Sequence, residues 1–226
     1  MFIGLDRLAD DAYQAFRGQD PELLAFMFAS GKSEGFLRDV FGAHLNRNLL
    51  QSGFEHVTRE WKKHDLAVMD GDRPLVLVEG KSWISHDAYR KSKLLTDKKS
   101  IYAGALADAK KLVKTKRKFP DVEIYISTVI YGVNTDQVID YEMFNVTYGD
   151  SHHLGLKKAG SFDDLVSIGR TNASRLHESF GPTRRFPLDI GRYKGMQIEA
   201  DFYLTEIMND LDSIEQALDI QSFSFI

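Results

Sequence analysis

The chain has 226 residues, 43% hydrophobic and 27% charged, enough to bury a sizeable core, and its lack of cysteine excludes disulfides and thiolate metal sites. No apolar run reaches the roughly 18–20 residues of a membrane span, and the opening MFIGLDRLADDAYQ lacks the basic-then-apolar order of a secretory signal, so a cytoplasmic protein off the membrane is expected. The net charge of −4 is unevenly spread: eleven Lys or Arg against two Asp lie from Arg90 to Lys118, whereas Glu199 to Asp219 holds seven acids and no Lys or Arg.

Residues 5–29 read as helical, with Pro21 in the permitted first turn of a second helix. Residues 33–50 form another, with Leu37, Val40, Phe41, Leu45 and Leu49 on one stripe and Gly53 as a stop. The period then changes. HVTREW (56–61), DLAVMD (65–70) and LVLVEGKSW (75–83) read as strands, and Asp70-Gly71-Asp72-Arg73-Pro74 is strong turn chemistry between the last two. The helical period returns from about Asp97 to Lys118, and VEIYISTVIYGV (122–133) reads as a central strand. Residues 161–180 and 199–219 read as helices, with Gly/Pro-rich segments at 149–160 and 181–195. In the last helix Leu204, Ile207, Leu211, Ile214 and Leu218 are spaced 3-4-3-4, and packing onto the chain's own domain is preferred to a dimer contact. His152-His153 lacks a partner at metal-ligand spacing and reads as surface histidine.

The triplet E-x-K occurs at Glu60–Lys62 and Glu79–Lys81, and D-x-K at Asp97–Lys99 and Asp108–Lys110, so the bare pattern carries little. Context separates them. Asp108–Lys110 lies mid-helix, where i and i+2 point apart. Asp97 is a favourable charge at a helix start, and Glu60 follows no aspartate-bearing strand. Glu79 and Lys81, by contrast, close an apolar strand and project to one side of it. With Gly71, Asp72 and Arg73 as a three-residue loop, Asp70 pairs with Pro74, and five residues further along each strand Asp65 opposes Glu79. Two carboxylates that close repel unless a proton or cation lies between them. A hard divalent ion such as Mg²⁺ suits oxygen ligands. On the same face, Lys81 then orients or deprotonates a water, or neutralises phosphate charge. The competing view is an ion pair at a sheet edge, which leaves one carboxylate unneutralised. Glu34, three residues before Leu37 and seven before Phe41, extends the buried stripe of its helix and needs a cationic partner; a functional carboxylate is preferred to an Arg38 pair at i+4 or a favourable charge at the helix start.

Asp65, then Glu79-Gly80-Lys81 after a hairpin, in an α-β-β-β-α-β order, resembles the PD-(D/E)XK nuclease superfamily, which includes many type II restriction endonucleases. The resemblance covers roughly residues 33–133, with His64 where the motif has proline. It implies a mixed central β-sheet flanked by helices, here with a mainly helical C-terminal extension (about 150–226), the whole chain forming one nuclease-like domain. It further implies that Asp65, Glu79 and the Gly80 carbonyl bind Mg²⁺, with Mn²⁺ able to substitute. Lys81 assists the attacking water, and Glu34 matches the metal-holding glutamate that many members carry on the helix before the sheet. Lys91, Lys93, Lys98 and Lys99 in the basic run, and Arg184 and Arg185 in a loop-like stretch, are the candidates to contact DNA, against the simpler reading of solvated charge. The expected activity is Mg²⁺-dependent cleavage of double-stranded DNA, most like a type II restriction enzyme. Cutting two strands at a symmetric site is most simply done by a homodimer. A repair, recombination or phage-associated nuclease, and a nuclease-like fold that only binds nucleic acid, are the alternatives.

Overall fold

The computed structural model describes residues 3–50, 56–89, 101–137, 146–147, 149–208 and 213–214. Three helices come first: α1 (Leu5–Arg17), α2 (Pro21–Ala29) and α3 (Ser33–Leu50). Strands β1 (His56–Trp61), β2 (His64–Asp70) and β3 (Arg73–Ile84) follow, then α4 (Ser85–Tyr89), α5 (Ile101–Lys116) and β4 (Glu123–Val133). After a 3₁₀ turn at Thr135–Gln137 come α6 (Gly149–Ala159), α7 (Phe162–Phe180), β5 (Thr183–Pro187), β6 (Arg192–Tyr193) and β7 (Met196–Glu206). Local chemistry explains several boundaries. Asp20 caps α2 by accepting the Glu22 and Leu23 amides at 2.8 and 2.9 Å, directly before Pro21. Ser161 caps α7 at the Asp164 amide, 3.1 Å away.

The strands form one open, mixed seven-stranded sheet in the order β1-β2-β3-β4-β7-β5, with β6 paired to β7. Only β3 and β4 are parallel, and β4, between β3 and β7, is buried at every position. Side-chain alternation divides two cores. Leu66, Val68, Val76 and Val78 pack with Leu8, Phe16, Phe28, Leu37, Phe41 and Leu45 of α1–α3. Ala67, Met69, Leu77, Ile124 and Ile126 pack with Ala105, Ala109 and Leu112 of α5 and Leu176 and Phe180 of α7. The fold is therefore α/β, with helices on both faces of the sheet. Among the described residues no helix is long and apolar enough to cross a membrane.

The expected helix at 199–219 is not formed. Residues 196–206 are strand β7, so the C-terminal part, besides helices α6 and α7, supplies three of the seven strands. The alternation Met196, Ile198, Ala200, Phe202, Leu204 puts every second side chain into the α1–α3 core, and that period of two prevails over the 3-4 spacing beginning at Leu204. Ser213 and Ile214 are helical, while Leu211 and Leu218 lie outside the described residues. Gly181, between α7 and β5, has φ 152°, and a Cβ there would sit 2.3 Å from the Glu206 carbonyl, so the approach of α7 to the end of β7 requires glycine. His152 is also corrected: it is fully buried in α6, its Nδ1 accepts the Val133 amide at 3.4 Å, and burial, then His86, lowers its pKa to about 3. His153 is exposed and pairs with Asp136.

Candidate active site

The β2–β3 hairpin positions the motif residues, but not by the loop expected. Asp70 pairs with Arg73 rather than Pro74, across a two-residue turn, and an irregularity between Val68 and Met69 shifts the register so that Val68 pairs with Val76 and Leu66 with Val78. The extra residue thus moves from the loop into a bulge. The ladder ends at Leu66–Val78, so Asp65 and Glu79 are not a cross-strand pair. Just before Asp65 the β1–β2 turn holds Glu60, Lys62 and Lys63 at φ 58°, 46° and 73°, three of the four non-glycine residues with positive φ among those described. Through this turn Asp65 comes to face α3, beside Leu66, whereas Glu79 faces α5.

Asp65, Glu34, Arg38, Gly80, Lys81 and Ser127 line one cavity at the end of β3, above an apolar floor of Phe16, Phe41, Val129 and Phe202. Its enclosed volume is about 30 Å³. That admits a water or an ion. Asp65 Oδ2 accepts the Gly80 amide at 2.8 Å, and Oδ1 lies 3.7 Å from Arg38. A side chain at position 80 would come within 3.3 Å of Ser127 Oγ and 3.8 Å of Asp65, so glycine keeps this approach open. Glu34 stands at the rim, accepting the Ser82 amide at 3.2 Å, while Ser33 and Ser82 hydroxyls meet at 2.7 Å; these contacts tie the start of α3 to the end of β3. Arg38 is not the partner of Glu34 but binds Asp39 at 3.2 Å and Glu60 at 2.8 Å.

Glu79 and Lys81 do project together, toward α5, but each has its own partner there. Glu79 is 2% exposed, with His64 Nδ1 and Lys111 Nζ both 2.6 Å from its Oε1. Lys81 Nζ lies 3.2 Å from Asp108 Oδ2. Burial pushes the Lys81 ammonium down, but Asp108, Glu34 and Asp65 outweigh it, and its pKa is raised overall. Lys81 is therefore charged at neutral pH. It can neutralise a phosphate oxygen or orient a water; it is a poor proton acceptor.

Partial burial raises the Glu34 carboxyl above its usual value; Lys81 and the Ser82 amide oppose this, and Asp65 and Asp108 add to it. A carboxylate kept ionised in such surroundings destabilises the fold, and a cation in the cavity relieves it. With a folded-state pKa above the unfolded one, the cost is absent at low pH and appears as pH rises through the folded value. Glu34→Gln is therefore expected to melt slightly higher than wild type at pH 7 in EDTA, and to gain less from added Mg²⁺. Differential scanning fluorimetry measures both, and a lower melting point in EDTA contradicts the expectation.

Mg²⁺ fits this donor set in part. Glu34, Asp65 and the Gly80 backbone are hard oxygen donors around an ion-sized space, and the cations beside them are shared, Lys81 with Asp108 and Arg38 with Asp39 and Glu60. Glu79, on the opposite face, is already neutralised. Among the described residues no three His, Asp or Glu side chains come together in a group able to hold a metal ion.

The sequence reading passed over Asp108, Lys111, His64 and Ser127. Asp108 was dismissed with Lys110, yet it stands three residues after buried Ala105 and four before buried Leu112, on a helix flank turned toward the sheet. Of the DNA-contact candidates, Lys91, Lys93, Lys98 and Lys99 lie outside the described residues. Arg184 and Arg185 are in strand β5, not in a loop, bound to Asp6 and Asp201, and three strand spacings (about 14 Å) from β3. Comparisons with family models, curated proteins and solved structures found no match to this chain.

Proposed function

We propose that the chain is a Mg²⁺-dependent deoxyribonuclease that hydrolyses phosphodiester bonds in double-stranded DNA, most like a type II restriction endonuclease of the PD-(D/E)XK kind and working as a homodimer. The observation that carries this reading is the meeting of Glu34, Asp65, Gly80 and Lys81 around one ion-sized cavity at the end of β3. The order α3-β1-β2-β3-α4-α5-β4, which differs from the expected order only by the short α4, supports it.

Asp65 and Glu34, with the Gly80 carbonyl, would hold the metal. When bound, Mg²⁺ supplies Lewis-acid charge at the phosphate and favours a water-derived nucleophile. Lys81, kept charged by Asp108, stabilises the phosphate oxygens as negative charge develops, and directs a water by donating to it. Proton acceptance falls to the carboxylates. Arg38 holds Asp65 and joins it to Glu60 of the β1–β2 turn. That turn presents exposed Lys62 and Lys63, with Lys62 Nζ 4.5 Å above the Trp61 ring, cationic groups suited to a phosphate backbone.

A second reading, a nuclease-like fold that binds nucleic acid without cutting it, is favoured by one observation: Glu79 is neutralised by Lys111, and His64 Nδ1 meets the same oxygen. Incubation of plasmid and phage DNA with protein and Mg²⁺ or Mn²⁺ separates the two. Discrete fragments support the restriction-type activity, and smears or structure-selective nicks support a repair or phage-associated nuclease. DNA binding without metal-dependent cleavage of any substrate supports the second reading.

A further inference from the structure

We infer that Lys111 is a resident cation at Glu79, which a divalent ion must displace before that carboxylate can serve the site; this rests on the nuclease reading above. Glu79 follows the apolar run of residues 75–78 within β3 at 2% exposure, where an unpaired carboxylate is costly, so it calls for a cationic partner. Lys111 meets that need from α5. Its ammonium lies 2.6 Å from Glu79 Oε1 and donates to the Lys63 carbonyl, also at 2.6 Å. His64 Nδ1 occupies the same oxygen, and its Nε2 is fixed by Thr115 Oγ1 at 2.9 Å.

The two partners of Glu79 differ in freedom. His64 is 2% exposed and stacked on Trp61, whereas the Lys111 side chain is 35% exposed and can swing into water from a flexible stem. An ammonium and a divalent ion on one carboxylate repel each other, so the two compete for Glu79. Because Lys111 also holds the Lys63 carbonyl, its departure releases a backbone contact of the left-handed β1–β2 turn. Release of Glu79 and adjustment of that turn are thus one event, which links cation entry to the surface that carries Lys62 and Lys63.

Isothermal titration of the full chain with Mn²⁺ tests this on wild type, Lys111→Met, and Lys111→Met combined with Glu79→Gln. Lys111→Met is expected to bind Mn²⁺ at least about fivefold more tightly, the low end of coupling between competing ligands, and the double variant to lose that gain. Should Lys111→Met fold poorly, wild type provides its own test: amine acetylation read by peptide mass spectrometry should rise severalfold at Lys111 when Mn²⁺ is added. Equal Mn²⁺ affinity in wild type and Lys111→Met, or Lys111 acetylation indifferent to bound Mn²⁺, overturns the inference while leaving the nuclease reading in place. No Mn²⁺ binding by wild type or either variant overturns both.

Discussion

Lys81→Ala is expected to lower Mg²⁺-dependent DNA cleavage by about 10²–10³-fold, the cost of removing one charged donor from a developing oxyanion. The melting temperature should fall by several degrees at most: Lys81 is 29% exposed, and the cost comes from Asp108 Oδ2, a buried oxygen that loses its cation. Lys81→Arg sharpens the test. A residue acting by charge tolerates arginine in part, whereas a residue that must accept a proton does not, because arginine stays protonated. Partial activity in Lys81→Arg, read by plasmid relaxation, is the expected result, and activity as low as in Lys81→Ala contradicts the charge role. Asp65→Ala should be as inactive as Lys81→Ala, for the different reason that it removes a ligand oxygen and the acceptor of the Gly80 amide.

The largest effect on stability is expected far from this site. Asp201 of β7 is 2% exposed and is clamped by two arginines: Arg170 from α7, which also reaches Glu199 at 3.0 Å, and Arg185 from β5 at 2.9 Å. Asp201→Ala takes the carboxylate from Arg185 and leaves Arg170 with Glu199 alone. Losing one member of a buried charge cluster costs about 3–5 kcal/mol, and the lower figure applies here because the arginines are 29% and 42% exposed. In a chain of this size that lowers the melting temperature by roughly 6–12 °C. Adding Arg170→Met and Arg185→Met should restore part of the loss, since no cation is then left unpaired. Thermal unfolding followed by circular dichroism checks both, and a triple variant less stable than Asp201→Ala would show that the arginines act through packing instead.

What could be read from the chain was what local rules decide. The α3 stripe, the β2–β3 hairpin and the shared side of Glu79 and Lys81 follow from periodicity and turn chemistry. The face taken by Asp65 does not. It depends on where the ladder stops and on left-handed backbone at Glu60, Lys62 and Lys63, residue types that do not announce such a conformation. The partners of Glu79 were hidden because His64 sits at the start of another strand and Lys111 on a distant helix, one of many lysines in its run. Strand β7 was missed although Met196 to Leu204 alternate, because the apolar spacing from Leu204 onward also fits a helix.

The central claim is that the cavity bounded by Glu34, Asp65 and Gly80 holds a catalytic divalent ion. Anomalous diffraction from Mn²⁺-soaked crystals tests it most directly. The account predicts a Mn²⁺ peak in that cavity within ligand distance of an Asp65 carboxylate oxygen, absent from Asp65→Ala crystals soaked alike. Soaked wild-type crystals with no peak there, or with Mn²⁺ bound only elsewhere on the chain, contradict it.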